Sequence, residues 1–184
     1  RLDSVLKQFL HAVRPTAPAR EKCQLHDIVA TTLRTLEAEL ESKHARIILE
    51  LAKSLPLLDL DPNQIQQALY NLVRNASQAL PASGGNIWIH THQNENEVSL
   101  SIRDNGSGIS PEDMGSLYEP YRTTKKSGTG LGLIVVRRII REHGGELEFQ
   151  SEISEGTTVT LHFPRQEKHL KLLPSSSPTI EIDS

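Results

Sequence analysis

One cysteine, one tryptophan, one methionine and only three each of phenylalanine and tyrosine occur in 184 residues. A lone Cys23 cannot form an internal disulfide, which excludes a cross-linked secreted scaffold and makes a reducing, cytoplasmic setting the expectation. No apolar run approaches the roughly 18–20 residues a membrane span needs, and residues 1–10 alternate charged and apolar side chains without a signal-peptide core. No membrane contact is expected of this segment. A dominant charge is missing too: 20 basic against 23 acidic side chains leave −3, which argues against a nucleic-acid surface, where Lys and Arg cluster against phosphates. What remains is an apolar share of 36%, enough for one core, in a length that suits one domain with short appendages.

Leu2, Val5, Leu6, Phe9 and Leu10 recur at helical spacing before Pro15, so residues 1–14 read as a helix with a partner-seeking apolar stripe. Residues 15–22 read as a Pro-containing linker, and Leu25, Val29, Leu33, Leu36 and Leu40 mark a second helix. Strands are expected at 45–51 and briefly at 57–60. Asp61 and Pro62 then supply an N-cap and a first-turn proline for a helix over 62–80. Its core face carries Ile65, Leu69, Leu72, Ala76 and Ala79. The opposite face carries Gln64, Gln67, Asn71, Arg74, Asn75 and Gln78, mostly amides where a solvated face usually has Lys and Glu.

Period-two alternation predicts one hairpin over 87–102 and another in which Leu147, Phe149 and Ile153 precede a strand at 157–163. Each strand is apolar on one face, so the fold class is an α/β two-layer sandwich: a mostly antiparallel mixed sheet with helices on one face. A short helix after Pro111 and a helix over about 130–143 lie between the hairpins. Residues 23–164 form the expected domain, and 165–184, with Pro174-Ser175-Ser176-Ser177-Pro178, an appended flexible tail.

Two glycine-rich stretches carry the chemistry. Asp104-Asn105-Gly106-Ser107-Gly108-Ile109 follows a strand, where glycines let backbone approach a flat ligand; the alternative is an ordinary turn. Gly128-Thr129-Gly130-Leu131-Gly132-Leu133 opens into a helix, so its amides and the helix N-terminus suit phosphate. No Gly-Lys-Ser/Thr follows, and no strand leads straight into it, which excludes the P-loop and the dinucleotide fingerprint.

Taken together, Asn71-Leu72-Val73-Arg74-Asn75-Ala76, the loop from Asp104, Tyr118-Glu119-Pro120-Tyr121, the turn at 128–133 and Gly156-Thr157-Thr158 resemble, in order, the N box, glycine boxes and aromatic box of two-component sensor histidine kinases. The resemblance spans 61–164 and is similar in flavour to nitrogen-regulation-type sensors, with Gln78 where many relatives carry lysine. It implies the Bergerat ATP-binding fold, with ATP and Mg2+ as ligands, and a site made of Asn71, Asn75, Gln78, Asp104, Gly106, Gly108, Ile109, Tyr118, Thr123, Thr124, Lys125, Lys126, Gly128, Thr129, Gly130, Leu131, Gly132, Leu133 and Thr157. Within it Asp104 selects adenine by accepting from the exocyclic amine, where guanine presents a carbonyl. Asn71 and Asn75 lie one helical turn apart on one face, and the resemblance gives Asn75 the magnesium. Asn71 stands where related ATPases have a water-activating glutamate; an amide cannot take that proton, which favours transfer to a protein over hydrolysis. Arg74, with Arg122, Lys125 and Lys126, would neutralise phosphate charge as it develops, with a solvated-surface role as the alternative. Residues 119–130 have the polar composition of a lid.

The family's phosphate-accepting histidine sits in a His-Glu motif that is missing here. His11 in His11-Ala12-Val13-Arg14-Pro15 lacks the acid, so residues 1–14 resemble the end of the second dimerisation-hairpin helix. The implied partners are the acceptor-bearing helical hairpin of the parent protein and a response-regulator receiver domain. An ATPase of the same fold and a nucleotide-responsive binding module without transfer are the competing readings. His90 and His92 share a strand face and read as solvated; Cys23 reads as inert.

Overall fold

The computed structural model describes residues 17–115, 117 and 131–165. The expected helix at 1–14, most of the polar loop and the tail after 165 lie outside them. The elements run β1 (Glu21–Cys23), α1 (Leu25–Ser42), β2 (Ala45–Glu50), β3 (Leu58–Leu60), α2 (Pro62–Ala79), β4 (Gly85–Gln93), β5 (Glu97–Asp104), α3 (Pro111–Met114), α4 (Gly132–Glu142), β6 (Glu146–Glu152) and β7 (Gly156–Pro164).

Five strands form one sheet in the order β2-β4-β5-β7-β6, in which only β2 and β4 run parallel. Alternation decides which face is covered. Ile87 and Ile89 of β4, Leu100 and Ile102 of β5, and Val159 and Leu161 of β7 are buried, together with Val29 and Leu36 of α1, Leu69 and Leu72 of α2, and Val136 and Ile139 of α4. Each such side chain contributes roughly 1.5–3 kcal/mol by leaving water. The other face carries Trp88 under the Arg103 guanidinium, and the exposed rings of His90 and His92 stack with centroids 6.4 Å apart. Among the described residues no group of three potential metal ligands forms. The sandwich with one wet face is therefore as the alternation implies.

Two details differ from the sequence reading. The end of the proline-containing segment is a strand, β1, paired antiparallel with β3; three residues are too few for periodicity to reveal it. Ile153, expected on the strand's apolar face, is 58% exposed, because β6 ends at Glu152 and the turn through Ser154, at φ 66°, carries the chain off the ladder.

α2 is fixed at its start. The Asp61 carboxylate accepts from the Asn63 and Gln64 amides at 3.0 and 3.1 Å, and its other oxygen accepts from Ala19 N at 2.9 Å. The Asp61 amide donates to His143 Nε2 at 2.9 Å, so the His143 proton sits on Nδ1, which donates to the Ile139 carbonyl at 2.7 Å. The end of α4 is thereby pinned to the start of α2. Removing the cap orphans three N–H groups, so Asp61→Ala should lower unfolding free energy by about 2 kcal/mol or more. A urea titration with an unchanged m-value checks it.

Candidate functional site

The core face of the sheet changes character at one end. Successive rungs across β5, β7 and β6 are Leu100–Leu161–Leu147, Ile102–Val159–Phe149, and then Asp104–Thr157–Ser151. Asp104 and Thr157 are only 5% and 8% exposed, yet both are polar. A buried polar rung after two apolar ones is costly unless satisfied.

The loop that leaves β5 supplies much of that satisfaction. Gly106 N–H donates to Asp104 Oδ1 at 2.9 Å, and Ser107 N–H donates to the carbonyl of Ala79, the last residue of α2, at 3.0 Å. Asn105 Oδ1 accepts from Asn86 N at 2.8 Å. Gly108, at φ +67°, lies so close to β6 that a Cβ would strike the Glu152 carbonyl. Ile109 N–H then donates to Ser151 Oγ at 2.9 Å. Asp104, Gly106, Gly108, Ile109 and Thr157, all singled out from the sequence, thus meet on one loop and one rung.

α2 runs beside this loop and ends against it. Asn71, Asn75 and Gln78 are half-buried on it. Asn71 Oδ1 lies 3.6 Å from where a Cβ on Gly132 would stand, so the amide face meets the first turn of α4. Leu131 caps that helix with no side-chain cap hydrogen bond among the described residues, and Leu133 follows in its first turn, where helix geometry points backbone amides outward, as suits an anion. Arg74 is instead engaged by Glu39 of α1, Nε to Oε1 at 3.2 Å. Tyr118, Arg122, Thr123, Thr124, Lys125, Lys126, Gly128, Thr129 and Gly130 lie outside the described residues. Cys23 is away from the site at the edge of a separate 440 Å³ groove, and burial pushes its thiol pKa up, in keeping with an inert sulfur.

Ser151 was missed from sequence. Its signal was there: alternation from Leu147 and Phe149 puts residue 151 on the apolar face, where a serine is out of place.

The family model for histidine kinase-, DNA gyrase B- and HSP90-like ATPases matches residues 60–167, more than half of the chain. The chain belongs to that family. Within this ATPase family its curated relatives include sporulation kinase E of Bacillus subtilis (strain 168), 33% identical over 165 residues, covering 89% of this chain and 22% of that protein. Sensor histidine kinase ZraS of Escherichia coli (strain K12) is 33% identical over 164 residues, covering 89% and 35%. The chain thus spans between about a fifth and just over a third of the length of these relatives. Among solved structures, the catalytic domain of histidine kinase ThkA superposes with a TM-score of 0.71 at 27% identity, covering 79% of this chain and 95% of that one. ThkA in complex with response regulator protein TrrA gives 0.76 at 23% identity, covering 90% and 48%, and full-length ShkA in complex with AMPPNP gives 0.78 at 21%, covering 89% and 35%. The fold is that of histidine kinase catalytic domains, as the boxes implied. Among the described residues no helix is long and apolar enough to cross a membrane.

Proposed function

We propose that this chain is the ATP-binding catalytic domain of a sensor histidine kinase, working in the cytoplasm on a histidine carried by another segment of its parent protein. The observation that carries the reading is the buried Asp104 carboxylate, held by the Gly106 amide on a loop that is tied to the end of α2. An anionic acceptor beside a glycine-containing loop suits the exocyclic amine of adenine. Thr157 and Ile109 border the same base, and Gly106 and Gly108 let the loop pack onto Ala79 and Glu152, which sets its backbone beside the base.

The phosphates would run along α2 toward the first turn of α4, where Gly132, Leu133 and the segment 128–131 offer amides. Asn71 and Asn75 offer side-chain carbonyl oxygens, hard donors that fit Mg2+, an ion that keeps several waters and binds largely through substrate phosphates. Mg2+ would supply charge neutralisation there, with Asn75 as its protein ligand. Gln78 would hold the sugar–base side of the nucleotide. Arg74 would exchange Glu39 for phosphate; the pair is 43% and 29% exposed, and such pairs are worth less than about 1 kcal/mol. Lys125, Lys126, Thr123, Thr124, Tyr118 and Arg122 belong to the covering loop in this reading.

An imidazole nitrogen of the acceptor would attack the γ-phosphorus, its N–P bond forming as the bond to the β–γ bridging oxygen breaks and ADP leaves. The same phosphoryl group would then pass to an aspartate of a response regulator. Catalysis would rest on positioning and charge neutralisation, because Asn71 offers no base to activate water. Residues 1–14 would be the end of the dimerisation hairpin, 15–22 the linker and 165–184 a tail.

The test is labelling with γ-labelled ATP and Mg2+. The chain alone should take up no acid-labile, alkali-stable phosphate, and a separate helical hairpin bearing the acceptor histidine should become labelled in trans. Self-labelling of the chain, or rapid phosphate release without any hairpin, would overturn the reading.

A further inference from the structure

The polar rung holds a hydroxyl with one hydrogen and three polar neighbours. Ser151 Oγ lies 2.9 Å from the Gly156 carbonyl, 2.9 Å from the Ile109 amide nitrogen and 2.8 Å from Thr157 Oγ1. A serine hydroxyl has one hydrogen and two lone pairs. The Gly156 carbonyl can only accept, so its contact is a hydrogen bond only with Ser151 as donor, and all three contacts are satisfied together when the Ser151 proton goes there. The Ile109 N–H takes one lone pair, and the Thr157 hydroxyl must donate to the other. With that proton committed, Thr157 Oγ1 turns only lone pairs outward.

We infer that Ser151 is a positioning residue for base selection, acting by fixing the Thr157 proton away from the ligand. This rests on the nucleotide reading above and deepens it. Asp104 and Thr157 are cross-strand partners, so the rung offers two adjacent acceptors to whatever enters the site. The exocyclic amine of adenine, with two hydrogens, matches a pair of acceptors. A 6-oxo purine replaces the amine with a third acceptor, and carries a hydrogen on N1 where adenine has a lone pair. Were the Thr157 proton free, the hydroxyl could rotate and donate to that oxygen, because hydroxyl hydrogens turn to suit their partners. Discrimination by Asp104 alone would then be partly undone. Ser151 also holds the Ile109 amide, so the rung and the glycine loop are set by one atom.

The experiment compares ADP with inosine diphosphate, which differs from ADP by a 6-carbonyl with N1–H in place of the 6-amine with a bare N1, and lacks the 2-amino group of guanine. Calorimetric titrations with Mg2+ use the full chain as wild type, Ser151→Ala, Ser151→Cys and Ser151→Ala with Thr157→Val. Wild type should prefer ADP strongly. Ser151→Ala should reduce the ADP-to-IDP preference by about tenfold, the scale of one hydrogen bond. Ser151→Cys nearly conserves volume but is a weak donor and acceptor, so it should fall between, and it keeps the test open should the alanine variant not fold. Adding Thr157→Val to Ser151→Ala should recover part of the preference, because the hydroxyl that helps the 6-oxo group is gone. A merely structural serine would weaken both nucleotides together and leave their ratio alone; that result overturns the inference. Failure of the wild type to bind either nucleotide would overturn the nucleotide reading itself and this inference with it.

Discussion

Asp104→Asn is expected to bind ADP at least about tenfold more weakly than wild type, which corresponds to losing roughly 1.5–3 kcal/mol of charge-assisted hydrogen bonding. The substitution is nearly isosteric, so shape is not what changes. A carboxylate presents about four lone-pair sites, and the Gly106 amide uses one of them on Oδ1. Asparagine has a single acceptor oxygen and an amide that only donates. If that oxygen stays with Gly106, the NH2 faces the amine of adenine, donor against donor. If it turns to the ligand, the Gly106 N–H loses its acceptor and the loop loses its tie to the rung. One contact fails in either orientation. Titrating ADP and GDP into both proteins checks this; GDP should bind wild type poorly, because its carbonyl meets a carboxylate. Equal ADP affinities for the two proteins would mean that Asp104 holds the loop without touching the base.

The rung also explains how much of the site was legible. In β5, Val98, Leu100 and Ile102 lead to Asp104; in β7, Thr157 precedes Val159, Leu161 and Phe163. Each polar residue stands where alternation calls for an apolar one, and a break in an otherwise regular period is visible in the chain itself. Asp104 and Thr157 were read because they also sit in recognisable boxes. Ser151 breaks its period in the same way but lies in a charged, unremarkable strand, and its importance depends on three partners at different sequence distances. Cross-strand register supplies those, and no local pattern encodes it. The amide face of α2 was legible for a similar reason, since its composition is odd for a solvated face. The Glu39 partner of Arg74 was not, because it sits one helix away on α1, 35 residues earlier, and a half-buried ion pair between helices leaves no periodic trace. The same holds for His143: a lone histidine near the end of α4 gives no hint that it accepts the Asp61 amide 82 residues away.

Gly156→Ala is expected to cost at least about 3 kcal/mol of unfolding free energy, since strained backbone and overpacking each contribute on the order of 1–3 kcal/mol. Two independent causes act at this position. Its φ is +105°, a conformation open to glycine and rarely to alanine, and a Cβ there would collide with the Asp104 carbonyl. That carbonyl belongs to β5, so relief requires moving either the strand or the residue that carries the carboxylate. Ser154, in the same turn, makes the contrast. It also has a positive φ, of 66°, but it occupies the left-handed helical region that a serine tolerates at roughly 1–2 kcal/mol. Ser154→Gly would relieve that strain while giving the unfolded chain more freedom, two effects of similar size, so it should stay within about 1 kcal/mol of wild type. Urea unfolding of both variants separates the cases. The glycine also ties stability to function, because Thr157 follows it and Asp104 pairs with Thr157. Gly156→Ala should therefore weaken ADP even below the temperature at which it unfolds. A variant that binds ADP normally at low temperature while losing stability would show that the collision is absorbed by the turn and that the rung stays in place.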